Sequence, residues 1–208
     1  MRLTSTSFDH GDAIPERYAF AKPDPETRVT LAGNTNPHLE WSDVPEGTKS
    51  FVLICHDYDV PSKGDDVNQP DREVPDDLPR VDFFHWVLVD LPADKKSIAE
   101  GEFSDGVVAG GRGQDEAAPV GRTGLNDFTG WFAGDPDMAG NYYGYDGCAP
   151  PWNDSLLHHY VFTVYALDVD RLDVSGDFTG HDVRAAMDGH ILAEASIEGT
   201  YTQNPRLL

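Results

Sequence analysis

The chain places acids and imidazoles where a strand-forming sequence would carry aliphatic residues. His56, Asp57 and Asp59 follow the apolar run at 51–55. His85 sits inside "FFHWVLV", and His158, His159 and Tyr160 open "HHYVFTVYALD". Imidazoles and phenols can donate hydrogen bonds to oxyanions. A neighbouring carboxylate fixes a histidine's tautomer and favours its charged form. The same residue types suit zinc. The competing reading is therefore a metal-dependent hydrolase using His56, Asp57, Asp59, His85 and His158, although no H-E-x-x-H spacing is present. No G-x-S-x-G marks a serine nucleophile. Taken singly, each residue has a bland role, as a turn former or a hydrogen-bonded core group. Three separate strands carry them, and buried polar groups need partners, so they are expected to find one another.

The elements that must position them read as mostly β. The runs at 51–55, 81–92, 158–168 and 193–202 are rich in β-formers. "TGHDVRAAMDGH" reads as a short helix, with Thr179 as its cap and Gly189 as its end. Strands spread along the chain with one late helix predict packed antiparallel sheets rather than βαβ units. The segments at 62–80, 106–124 and 131–143 lack periodicity and read as surface loops. "GGRGQD" lacks the third glycine and the strand–helix frame of a dinucleotide fingerprint.

Composition narrows the function classes. With 37 acidic and 15 basic residues among 208, the net charge is −22. Such a surface repels itself in dilute salt, so stability is expected to rise with salt. It also argues against nucleic acid and anionic membranes as partners. No apolar run approaches the length of a membrane span, and the N-terminus lacks a signal-peptide core, so a cytoplasmic protein is expected. Cys55 and Cys148 are expected as free thiols.

Four stretches, in order, carry a resemblance. They are "GNTNPHLEWSDVPEGTKSFVLICHDYDVP" (33–61), "FFHWVLVDLP" (83–92), "GYDGCAPPWNDSLLHHYVFTVYALD" (144–168) and "AAMDGHILAEASIEGTY" (185–201). Together they closely resemble the phosphatidylethanolamine-binding protein family, and its prokaryotic Raf-kinase-inhibitor-like branch in particular. The resemblance implies a single mainly β domain over 1–208, a large antiparallel sheet packed on a smaller one with Greek-key connections and helical structure near the C-terminus. Segments 62–80 and 131–143 would be loop insertions. It also implies non-catalytic binding of a small anion (phosphate, a phospho-headgroup or a carboxylate), no cofactor, and regulation of a protein partner such as a kinase or protease. The branch suggests a homodimer. The family's Asp-x-Asp-x-Pro motif falls on Asp57, Asp59 and Pro61. Its "HW" histidine falls on His85, its Gly-x-x-Pro-Pro loop on Gly147, Pro150 and Pro151, and its His-x-Tyr on His158 and Tyr160. The ligand residues implied are Asp57, Asp59, His85, Gly147, Pro151, His158 and Tyr160. Tyr58 stands where the family usually has proline, and so does Cys148. If His85 and His158 both face the anion, binding should strengthen at mildly acidic pH as an imidazole gains charge.

Overall fold

The computed structural model describes residues 1–208. Its strands in chain order are β1 (Arg2–Thr4), β2 (Ala21–Asp24), β3 (Arg28–Leu31), β4 (Leu39–Ser42), β5 (Ser50–Pro61), β6 (Arg80–Pro92), β7 (Ser97–Ile98), β8 (Arg122–Thr123), β9 (His158–Leu167) and β10 (Ile191–Tyr201). A 3-10 turn spans Glu16–Tyr18, and two short helices, α1 (Phe128–Trp131) and α2 (Gly180–Ala186), complete the set.

The four strands expected from the sequence form one antiparallel sheet in the order β10-β9-β5-β6-β8, with β8 as an added edge. A smaller sheet, β1-β4-β7, packs on one face of it, and β2-β3 is a separate hairpin. The large sheet is covered on both sides, which is why its central strand reads as an unbroken apolar run. Phe51, Leu53 and Cys55 of β5 join Phe162 and Val164 of β9 against Leu39, Trp41 and Ile98 of the small sheet. Val52, Ile54 and Val89 point the other way, onto Val183 and Met187 of the α2 region and onto Phe178. Each such side chain contributes roughly 1.5–3 kcal/mol by burial, and these two layers fix the sheet that carries the site.

Helix α2 begins as the sequence predicts. The Thr179 hydroxyl accepts from Asp182 N–H at 3.4 Å, and the Asp182 carboxylate accepts from Thr179 N–H at 2.8 Å, a reciprocal capping box.

The sheet is not regular where the polar residues lie. Cys55 pairs with Trp86 and His56 with Phe84, so His85 is the extra residue of a β-bulge on β6. A second irregularity falls between the Asp57–Phe83 and Val60–Val81 pairs, where β5 carries the extra residue. Bulges re-aim side chains that strict alternation would send to the wrong face.

The three segments read as surface loops are packed more deeply than that. Val67 and Val74 are buried in the first, Arg112 and Ala117 in the second, and Tyr142 and Tyr143 in the third. Their cover comes from backbone hydrogen bonds outside any sheet, such as Val74 N–H to the Asn153 carbonyl and Asn126 N–H to the Tyr142 carbonyl. No sequence periodicity reports such contacts.

Candidate functional site

Three neighbouring strands deliver the polar groups to one end of the large sheet. Asp57 on β5 lies directly across from Tyr160 on β9. His158 is two residues before Tyr160 and shares its face. His85 arrives from β6 through the bulge. All four line a cavity of about 170 Å³, together with Pro151. Its apolar walls are Val60, Phe83, Phe128 and Trp131. Segment 62–80 contributes Ser62, Lys63, Val67 and Asn68 to the lining, and the 149–151 loop closes another side.

His158 is gripped from both ends. Its Nδ1 lies 2.7 Å from Asp57 Oδ2 and its Nε2 lies 3.1 Å from Asp154 Oδ2. A carboxylate only accepts, so both ring nitrogens donate and the ring is an imidazolium. Burial opposes that charge, but the Asp57 and Asp154 carboxylates outweigh it and lift His158 to about 9. Asp154 in turn takes both terminal nitrogens of Arg80, at 2.6 and 3.1 Å. Arg80 also donates to the Asp59 carbonyl at 2.8 Å. Asp57, His158, Asp154 and Arg80 therefore form a buried relay of alternating sign with no net charge. The Asp57 carboxylate is thereby neutralised as seen from the cavity.

His85 is the opposite case. Its Nδ1 donates to the Asp146 carbonyl at 2.8 Å, which leaves Nε2 as the acceptor of the neutral ring. Burial pushes it down to about 4, against the pull of Asp57 and the neighbouring carbonyls. At neutral pH the ring is uncharged and presents a lone pair on Nε2. Asp146 is itself held by Asn34 at 2.7 Å and Asn126 at 2.8 Å. Burial raises its carboxyl to about 6 despite those bonds and Arg112. The Tyr160 hydroxyl is buried without a hydrogen-bond partner. Burial first, and the Asp57 carboxylate second, hold that phenol well above its ordinary value.

These facts correct the pH expectation. His158 has no free N–H for an anion and does not titrate at mildly acidic pH. His85 remains neutral there. At the inner end of the cavity, His85 offers an acceptor at Nε2 and Tyr160 a donor hydroxyl, while Ser62, Lys63 and Asn68 add polar groups from segment 62–80.

Two of the seven ligand residues implied by the resemblance lie beside the cavity rather than in it. The Asp59 carboxylate takes the His159 backbone N–H at 2.9 Å and its Nδ1 at 2.8 Å. Gly147 is a packing glycine: its N–H donates to Asn34 Oδ1 at 2.8 Å, and a Cβ there would lie 2.0 Å from the Tyr18 carbonyl oxygen. His56 points to the opposite face of the sheet, where its ring lies 6.2 Å from that of Phe84. Tyr58, in the place of a proline, stacks on His159 at 5.4 Å and 6°. Cys148 is buried and unbonded, as is Cys55, and its carbonyl accepts from Phe20 and Ala21.

Asp154 and Arg80 are the site residues that sequence reasoning missed. The signal for Asp154 was its i−4 spacing from His158, which matters only because the intervening loop folds back. Nothing local marks Arg80.

A family model described as "Phosphatidylethanolamine-binding protein" matches residues 4–202. Among curated relatives, the UPF0098 protein YbhB of Escherichia coli K12 is 34% identical over 204 residues, 97% of this chain and the whole of that one. A UPF0098 protein of Aquifex aeolicus is 32% identical, covering 98% of this chain and 90% of its own. The crystal structure of E. coli YbcL, described as a new member of the mammalian PEBP family, superposes with a TM-score of 0.67 at 28% identity, over 97% of both chains.

Proposed function

The chain belongs to the phosphatidylethanolamine-binding protein family, and from that premise we propose that it is a binding protein for a small phosphomonoester or phospho-headgroup seated in the His85–Tyr160 cavity. The observation that carries this reading is the Tyr160 hydroxyl, buried without a hydrogen-bond partner, in the same cavity as His85, whose Nδ1 is engaged by the Asp146 carbonyl. Buried polar atoms without partners are rare and call for an explanation, and a bound ligand supplies one.

A phosphomonoester monoanion fits both groups. Its P–OH donates to His85 Nε2, and an unprotonated oxygen accepts from Tyr160. Lys63 at the lining adds a cation. The self-neutralised relay removes the repulsion that an isolated Asp57 would impose. At about 170 Å³ the cavity is below the roughly 300–1,000 Å³ of drug-sized sites, so it suits a headgroup rather than a whole lipid. Regulation of a protein partner by the loaded form belongs to the same reading.

Catalysis has less support. Ser62 lines the cavity, but no imidazole or carboxylate is hydrogen-bonded to its hydroxyl. The metal-hydrolase alternative loses His56 to the opposite face of the sheet, and both nitrogens of His158 are already donating to carboxylates.

The test is calorimetric titration of inorganic phosphate, methyl phosphate and sulfate across pH 5–8 at fixed ionic strength. Inorganic phosphate should bind throughout, because both H2PO4− and HPO4²⁻ carry a P–OH for His85, whereas methyl phosphate, whose dianion has none, should lose affinity as pH rises through its second pKa, near ~6. Sulfate, with no proton to give, should bind at least about tenfold more weakly than inorganic phosphate throughout, the size of one lost charge-assisted hydrogen bond. Equal affinity for inorganic phosphate and sulfate would sink this reading.

A further inference from the structure

Ser62, Lys63, Val67 and Asn68 bring one stretch of chain against the side of the cavity. Between Ser62 and Glu73 that stretch has turns but no helix or strand, and Val67 is its only buried residue. So little apolar burial gives it little stability of its own, and the elements that cover ligand sites are drawn from such regions.

One side chain fastens it. Asn153 is 3% exposed, and its Oδ1 accepts the Asn68 N–H at 2.8 Å. Its Nδ2 lies 2.8 Å from the Asp66 carbonyl, 3.1 Å from that of Gln69 and 2.9 Å from that of Arg72. A carboxamide has two N–H donors for these three oxygens, so segment 66–72 is wrapped around a single amide group. Asn68 has φ +58, a left-handed conformation that asparagine tolerates, and its own Oδ1 accepts the Trp152 N–H at 3.1 Å.

The segment is also tied within itself. Arg72 pairs with Asp66 at 3.0 Å and reaches the Asp65 carbonyl at 3.4 Å. These bonds travel with it, whereas those to Asn153 and Trp152 must break if it moves. Gly64 leaves its near end open, since a Cβ there would meet nothing within 4 Å. Its far end is anchored where Val74 bridges Asp154, the carboxylate that also grips His158.

We propose that Asn153 is the latch of a lid: segment 64–72 closes the cavity while the Asn153 amide holds it, and ligand enters and leaves when that amide lets go. Asn153 does not line the cavity. It is a positioning residue that sets how fast a ligand exchanges. The inference rests on the cavity being the phosphate site.

The test joins amide hydrogen exchange to ³¹P line-shape kinetics of inorganic phosphate at pH 6, on wild type, Asn153→Ala and Asn153→Asp. The aspartate keeps an acceptor for Asn68 but turns a carboxylate oxygen toward three carbonyls. Without ligand, the Val67, Asn68 and Gln69 amides of both variants should exchange at least about tenfold faster, because several hydrogen bonds are lost together. Amides of β5 and β9 should keep their protection. Phosphate association and dissociation should both speed up at least about fivefold, with Kd changing less than about threefold. A merely structural brace would weaken binding without hastening association. In the wild type, phosphate at about ten times its Kd should slow the same three amides about tenfold, because the open lid holds no ligand; this measurement needs no variant to fold. The proposal is overturned if lid exchange in both variants matches wild type, if association is no faster, or if phosphate leaves wild-type lid exchange unchanged. If phosphate does not bind the wild type at all, the cavity reading falls and the gate falls with it. Exchange measured without ligand tells that result apart from failure of the latch.

Discussion

Replacing His158 by alanine should cost roughly 3–5 kcal/mol of folding stability, the usual effect of removing one member of a buried ion pair. The ring is fully buried, with Asp57 on one nitrogen and Asp154 on the other. Without it, Asp154 keeps Arg80, but Asp57 retains only the Asp59 N–H at 2.8 Å. The variant should also lose a pH dependence that the wild type has. His158 stands at about 9 in the folded protein and near ~6.5 when unfolded. A raised folded value means that its contribution is fully present below pH ~6.5 and is lost as pH rises through about 9. The difference amounts to about 3 kcal/mol, from the linkage between pKa and stability. Cys55 and Cys148, whose thiols burial raises, add their own alkaline loss above pH ~8.5 in both proteins. The comparison is therefore of urea unfolding for wild type and variant at pH 6, 7 and 8. The stability gap should narrow steadily with pH. A gap below about 1 kcal/mol at pH 6, or one that does not change with pH, would show that the relay is not charged as described.

Gly147→Ala should destabilise by about 2–3 kcal/mol and weaken phosphate binding by about tenfold. The added Cβ would sit 2.0 Å from the Tyr18 carbonyl oxygen and 3.0 Å from Ala19 Cα and Phe20 N. These are backbone atoms of a buried segment, so no side chain can swing aside, and overpacking of this kind costs about 1–3 kcal/mol. The consequence for binding follows from the neighbours. Asp146, one residue earlier, supplies the carbonyl that orients His85. Ala149, Pro150 and Pro151, just after, line the cavity. Backbone displacement at 147 therefore moves both the acceptor and the rim. Urea unfolding and phosphate calorimetry on the same preparation measure the two effects, and wild-type values for both would remove Gly147 from the account.

The convergence of Asp57, His85, His158 and Tyr160 was legible because each sits on or beside a strand long enough to be recognised. The family motifs then tied those strands together. Their roles were not legible. Whether His158 donates to a ligand or to a carboxylate depends on Asp154, which reaches it from a loop with no periodicity. Whether His85 is charged depends on burial beneath segments that read as surface loops. The bulge that turns His85 inward is a one-residue irregularity in pairing, invisible in a run such as "FFHWVLV". Short strands such as β1, β7 and β8 were missed for a related reason: two or three residues carry too little pattern. Asp59 and Gly147, carried over by motif, lie beside the cavity and not in its lining, a placement that depends on how β5 and the 147–151 loop turn rather than on residue order.

A neutral His85 should accept a proton-bearing ligand while His158 remains locked as an imidazolium. Histidine side-chain ¹H–¹⁵N NMR during titration of inorganic phosphate at pH 6 tests it most directly. The His85 Nε2 resonance should move saturably with phosphate, both N–H groups of His158 should stay protonated throughout, and Tyr160→Phe should weaken the response by about fivefold to tenfold, one neutral hydrogen bond. A His158 ring that loses a proton or shifts with phosphate, together with an unmoved His85, would contradict it.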